Sequence, residues 1–271
     1  MEESFVLQKF GRLAIDIHSH FNHGVRFELP SGVLHCREIA SLVKEYGRIG
    51  IGQAAVSSFA SVYVGEKIFP EEANAESQKE CILSENRFTH RLALERDEFY
   101  QWAVLDPRYK ETFEQAEGML DCPKTLGLKI HPSYHGYDIM EYGDRIFSFA
   151  DRLGAVVLMH PQHVEEISAL ADRYPNMKLI IAHLGSMGHI TAMLRSKAGN
   201  IYTDTSGRNI SSNRILEYAV EKVGSERILF GTDTYSAAMQ LGRIILADLD
   251  LEDQKNILYR NALRLFPRAL K

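Results

Sequence analysis

The sequence predicts a closed (β/α)8 barrel of the TIM type, and three observations predict it. Eight short β-branched or continuously apolar runs alternate with eight helix-patterned segments along the 271 residues. Several runs are apolar throughout, as strands covered on both faces in a parallel sheet are. Histidine and aspartate recur at the C-terminal ends of the runs, where a barrel presents its reactive side chains. An open doubly wound sheet is the alternative architecture. It would not naturally gather the ends of strands one, five, six and eight at one point, whereas a closed barrel does.

The expected strands are LAIDIH at 13–18, IGQAAVSSF at 51–59, FYQWAVLD at 99–106 and LGLKIH at 126–131. AVVLMH at 155–160, KLIIAH at 178–183, NIYTDT at 200–205 and RILFGTD at 227–233 complete the eight. Helices are expected at 36–46, 76–95, 110–120, 142–153, 165–174, 190–198, 213–223 and 238–249. Residues 1–12 form a lead-in, and 251–271 a closing segment with a helix over 251–266. Gly154 and Gly224 suit left-handed positions after helices, and Pro175 stops the helix before it. The segment 60–75 is the longest irregular stretch and falls on the loop side, where barrel enzymes place substrate-binding elements. No composition break marks a linker, so 1–271 reads as one domain.

A composition of 45% hydrophobic and 25% charged residues can bury a full core and argues against disorder. With 36 acidic and 31 basic residues, the formal charge of −5 gives no reason to expect a nucleic-acid partner. No apolar run approaches the ~20 residues that a membrane helix needs, and no targeting segment is visible. Cys36, Cys81 and Cys122 have neither disulfide-framework nor zinc-knuckle spacing, so a reducing cytoplasm suits them. A small-molecule substrate is expected, and a homodimer is a reasonable assembly because cyclic pairs are common.

Of the 11 histidines, His18, His20, His131, His160 and His183 fall at strand ends. His18 and His20 are two apart on an extended segment, so both imidazoles can face one ion. Zinc takes imidazole and carboxylate ligands and, in catalytic sites, keeps one position open. His160 and His183 each follow an apolar run; a histidine adds little to packing and needs a partner, so such positions point to a polar site. Asp233 ends the eighth strand, where a carboxylate can both hold metal and take a proton; asparagine could do only the first. Lys129 and His131 are in phase on strand four. Lys129 can anchor a substrate carboxylate, bridge two metals if carbamylated, or pair inside a polar layer. Asp204 is read as bonding nearby backbone or orienting His183. Asp16 is read as in phase with His18, behind it or in the lower barrel core. Gly185 and Gly188 permit close chain approach beside His183.

The motifs IDIHSH (15–20), GLKIHP (127–132), VLMHP (157–161), IIAHLG (180–185), NIYTDTSG (200–207) and RILFGTD (227–233) together resemble the amidohydrolase superfamily. The likeness is to its amidohydrolase-related branch of metal-dependent hydrolases, which also includes decarboxylases similar to aminocarboxymuconate semialdehyde decarboxylase. It implies a divalent metal, most often zinc, held by His18, His20, His160 and Asp233, with His183 activating water or protonating substrate. One Zn2+ is expected; two metals bridged by carbamylated Lys129 are the alternative.

The expected activity is metal-dependent hydrolysis of a small anionic or carbonyl compound. Asp233 takes the water proton, His183 stabilises charge, and Lys129, His131, His135 and Arg208 grip the substrate. Non-oxidative decarboxylation of a small unsaturated or aromatic acid is the alternative use of the same residues.

Overall fold

The computed structural model describes residues 13–23, 37–62 and 75–270. The lead-in 1–12, Cys36 and most of the 60–75 segment lie outside the described residues. Eight strands form the barrel wall: β1 (Ala14–Asn22), β3 (Ile51–Ser58), β4 (Phe99–Val104), β5 (Thr125–Ile130), β6 (Val156–Met159), β7 (Lys178–Ile181), β8 (Ile201–Asp204) and β9 (Ile228–Leu229). These are the eight expected strands. A two-residue strand, β2 (Arg37–Glu38), was not expected and pairs with the end of β1. All neighbours are parallel, in the order β2-β1-β3-β4-β5-β6-β7-β8-β9. The sheet curls until its last strand meets its first. Ser19 bridges Asp233, Ile17 N–H donates to the Phe230 carbonyl (3.0 Å), and Thr232 N–H donates to the His18 carbonyl (3.0 Å). This seam is short, and it lies directly beneath the candidate ligands.

The wall separates two apolar compartments. Ile15, Ile17, Trp102, Val156, Leu158, Ile180, Ala182 and Leu229 fill the interior, closed below by Phe266 and Leu270. The alternate residues Val157, Met159, Leu179 and Ile181 pack outward against the helices. This is the period-two pattern of strands buried on both faces. Trp102, fully buried, donates its indole N–H to the Ile17 carbonyl across the interior (2.6 Å). Gly127 leaves room for that ring: a Cβ there would stand 2.2 Å from the Val156 carbonyl oxygen and 2.8 Å from the Trp102 ring. Backbone oxygen cannot swing aside as a flexible side chain can. Gly127→Ala is therefore expected to destabilise by about 3 kcal/mol, at the upper end for overpacked cores. Urea unfolding followed by Trp102 fluorescence measures this; an unchanged midpoint would contradict the packing described.

Helix Lys110–Leu120 occupies the expected span, and the others differ from expectation by a few residues at their ends, where capping rather than periodicity decides. Gly154 adopts the left-handed conformation expected of it, while Gly224 has positive φ with extended ψ. The closing helix is not uniform. It runs as α over Leu251–Lys255, π over Asn256–Arg260 and α over Asn261–Leu265. In the π segment the Ile257 carbonyl accepts from Phe230 N–H (2.9 Å), and Asn261 Nδ2 donates to the Ser225 and Ile228 carbonyls (2.7 Å each). The irregularity ties β9 in place three residues before Asp233.

Candidate metal centre and its cavity

The first strand does not keep simple alternation. Asp16 pairs with Ala54 and Ser19 with Val56, so three steps on β1 oppose two on β3, a β-bulge. Ile17 consequently packs inside the barrel while His18 and His20 also reach the site. Asp16 is thereby turned away from His18, correcting the in-phase expectation. Its carboxylate accepts from Thr232 Oγ1 (2.6 Å), Thr232 N–H (3.1 Å), His18 N–H (3.0 Å) and the Tyr46 hydroxyl, so it laces β1 to the end of β9. Burial outweighs those bonds and pushes the Asp16 carboxyl up to about 7.

His18, His20 and Asp233 place one ligand atom each within 4.8 Å of one another. His20 Nε2 stands 3.4 Å from Asp233 Oδ1, and its Nδ1 is held by the Ser57 hydroxyl (3.0 Å). Asp233 has φ 56°, a left-handed value that aspartate tolerates better than most residues.

Behind this corner lies a buried brace. His18 Nδ1 donates to Asp204 Oδ2 (2.8 Å), which leaves Nε2 for an ion, the usual way a ligating imidazole is oriented. Asp204 Oδ1 also accepts from His183 N–H (3.1 Å), Ser206 N–H (2.8 Å) and the Ser206 hydroxyl. Burial would raise the Asp204 carboxyl, but the His18, His183 and Ser206 donors hold it ionised, well below the usual carboxylate range. Asp204 thus orients the His18 ring, whereas the His183 ring is oriented by Ser206 Oγ (2.8 Å from Nδ1). His18, His183 and Asp204 also lie within 4.8 Å of one another, but His18 Nδ1 is already bonded to Asp204 and His183 Nδ1 to Ser206.

His183 would point outward by strand alternation, in step with Leu179 and Ile181. Its left-handed backbone (φ 68°) brings the ring back to stack on His18, with centroids 5.1 Å apart. His160 stands edge-on to His183 (5.1 Å) and stacks on His131 (3.8 Å). Among the described residues, the buried Nδ1 of His160 has no hydrogen-bond partner. Burial, followed by repulsion from a proton on His183 and from the Lys129 ammonium, pulls the His160 ring down to about 2, so it stays neutral with a lone pair to offer. Burial likewise lowers His18, takes His20 well below its ordinary value and brings His183 down to about 4. Neutral His18 and His20 imidazoles with the adjacent Asp233 carboxylate are a donor set a divalent cation fits, with ligand atoms ~2.0–2.2 Å from the ion, whereas His160 stands outside that grouping beside His183. The chain carries a divalent-metal site.

Lys129 rises from β5 and donates to His18 Nε2 (2.8 Å); it is 1% exposed, and burial, opposed by Asp233 and Asp204, lowers its ammonium to about 8. A cavity of about 310 Å³ opens beside this cluster, lined by Tyr134, His160, His183, Arg208, Asp233 and Tyr235 together with Pro161, Gly207, Asn209 and Thr234. Arg208 therefore sits where a substrate-gripping residue was expected. His135 does not line this cavity: its Nε2 donates to the Ser61 carbonyl (3.0 Å) and its Nδ1 stands 3.9 Å from buried Asp106. His131 reaches the site through its stack on His160 rather than by lining the cavity.

Sequence reading missed Ser57, Ser206, Tyr134 and Tyr235. Ser206 lies inside the DTSG motif, and the two tyrosines follow His131 and Asp233 by three and two residues, so proximity was the available signal. Close approach explains two glycines here. A Cβ on Gly185 would stand 2.0 Å from Asn209 Cβ, and one on Gly207 would stand 2.8 Å from His183 Nδ1.

Among solved structures, a 2,6-dihydroxybenzoate decarboxylase from Rhizobium superposes with TM-score 0.71 at 15% identity, covering 94% of this chain and 98% of that one. A dihydroxybenzoic acid decarboxylase from Polaromonas with bound manganese and 2-nitroresorcinol gives 0.70 at 18%, covering 94% and 96%. A 5-carboxyvanillate decarboxylase from Novosphingobium aromaticivorans, complexed with manganese and a nitrobenzoic acid, gives 0.72 at 11%, covering 95% and 96%. These similarities correct the expectation of hydrolysis, since most of the barrels it resembles are decarboxylases, beside two described only as amidohydrolases. The physical reason is that the strand-end motifs encode a ligand set, and the same ligand set serves either reaction. Comparison by sequence with curated proteins gives no match. No helix among the described residues is long and apolar enough to cross a membrane. The Amidohydrolase family model matches residues 15–268, and with the histidine–aspartate clusters on one barrel rim the chain is a metal-dependent enzyme belonging to that family.

Proposed function

We propose that the chain is a metal-dependent, non-oxidative decarboxylase of a small aromatic or unsaturated carboxylic acid. The observation that carries the reading is the cavity: Arg208 offers a cation for an anionic group, Tyr134 and Tyr235 offer rings, and Asp233 and His183 line the same space. The decarboxylases of similar fold support it. A cavity of about 310 Å³ is at the small end for ligand sites, which suits a single-ring acid.

In this reading His18, His20, His160 and Asp233 hold one ion per chain. We place Zn2+ there because the donors are mostly imidazole, a set that suits zinc. When bound, the ion supplies Lewis-acid polarisation of the substrate's carboxylate or a neighbouring hydroxyl. His18 Nε2 has one lone pair, so metal loading requires Lys129 to give up its hydrogen bond there. Arg208 and the tyrosines orient the acid. As the carbon–carboxylate bond breaks and CO2 leaves, the electron pair remains on carbon and takes a proton from the Asp233 oxygen that does not hold the ion; solvent restores that proton. Free Cys81 and Cys122 favour a reducing cytoplasm as the location.

The test is incubation of metal-loaded protein with 2,6-dihydroxybenzoate, 5-carboxyvanillate and dienoic acids in deuterated water. The expected result is CO2 release with one deuterium at the vacated carbon. Absence of CO2 from every acid at full metal occupancy would overturn the reading.

A further inference from the structure

Ser206 has one proton and three polar neighbours. Its Oγ stands 2.8 Å from His183 Nδ1 and 3.0 Å from His18 Nδ1, and it is hydrogen-bonded to Asp204 Oδ1. All four residues are buried, Ser206 completely. The contact between Ser206 Oγ and Asp204 Oδ1 sets the protons. The Asp204 carboxyl faces three N–H donors, from His18, His183 and Ser206, so it acts as an acceptor and the Ser206 hydroxyl donates to it. The His18 Nδ1 proton goes to Asp204 Oδ2, the closer partner at 2.8 Å. The Ser206 oxygen is then left as an acceptor, and His183 Nδ1 must carry the proton it accepts. Were His183 Nδ1 bare, it would have to draw the serine proton away from Asp204 and leave two oxygens in contact with no hydrogen between them. Gly207 seats the ring from the other side, with φ 80° and no room for a Cβ.

We infer that Ser206 is a positioning residue that fixes His183 with Nδ1 protonated, so that Nε2 is the ring atom that exchanges protons with the cavity. Asp204 couples this setting to the metal corner, because the same carboxylate fixes the His18 ring with Nε2 bare. In the neutral ring His183 Nε2 accepts a proton from a hydroxyl group in the cavity: the O–H bond breaks, its electron pair stays on oxygen, and an N–H bond forms. Asp233 is left as the donor to carbon. The use of Nε2 on substrate rests on the proposed decarboxylase reading; the ring state does not.

The test is nitrogen NMR of Zn2+-loaded protein labelled with 15N-histidine, with the His183 signals assigned by their loss in His183→Gln. The expected result is a protonated Nδ1 and a bare Nε2 in the unsubstituted protein. Ser206→Ala shifts the ring towards the Nε2-protonated form at unchanged zinc content, and kcat on an acid that releases CO2 falls by about 10–100-fold, the usual cost of losing a supporting partner. Ser206→Thr, which keeps the hydroxyl, restores the ring state. A protonated, neutral-ring Nε2 in the unsubstituted protein, or an unmoved ring in Ser206→Ala, overturns the inference. If Ser206→Thr does not fold, the unsubstituted spectrum still decides. The expected ring state without CO2 release from any acid overturns the functional reading and leaves this one standing.

Discussion

Asp233→Asn is expected to keep most of its metal and lose about 10²–10⁴-fold in turnover, the range for removing a general acid or base. Asparagine is the right probe because it preserves nearly everything else. It tolerates the left-handed backbone at φ 56° as well as aspartate does. Its N–H still donates to the His18 carbonyl (2.6 Å), which holds the seam between β9 and β1. Its side-chain oxygen remains available to an ion, but an amide has no proton to give to carbon at neutral pH. Were Asp233 only a brace for the rim, the cost would be a few-fold. Kinetics and elemental analysis on one preparation separate the two, since an apo fraction mimics a slow enzyme. Normal metal content with more than about one-third of normal turnover would end the proton-donor role.

His18→Ala and His20→Ala are each expected to release most of the bound metal, beyond the ~10–100-fold weakening that loss of a supporting residue brings. The two differ in stability. His18→Ala strips buried Asp204 of its 2.8 Å donor and leaves a charged group short of a partner, which costs more than the ~1–3 kcal/mol of an unmade neutral bond. His20 binds Ser57, a neutral hydroxyl, so its loss costs about 1–3 kcal/mol. Metal analysis and thermal melting of the two metal-free variants read both effects. Full occupancy in both would remove the pair from the ligand set; equal melting temperatures would show that Asp204 draws little from His18.

The sequence by itself determined the barrel and the content of its rim. Two-faced apolar runs such as VVLM and KLII have one stable environment, a parallel sheet under helices, and histidine and aspartate at the run ends favour a closed sheet, which gathers them, over an open one. Histidine after such a run has no packing reason to be there, so His18, His20, His160 and His183 were legible as polar-site residues. Tertiary structure alone decided how they are aimed. The β1 bulge sends Asp16 to Tyr46 and His18 to the site, although the two are in phase on paper. The left-handed turn at His183 reverses its alternation, and Asp204 serves His18 because barrel curvature brings β8 against β1's end. Ser206, Tyr134 and Tyr235 carry no periodic signal, and their roles arise from contacts across strands and loops. The reaction was the least legible property, because imidazoles and a carboxylate around an ion favour no one bond to break. That choice is made by the cavity walls, which neighbouring loops build and local sequence does not encode.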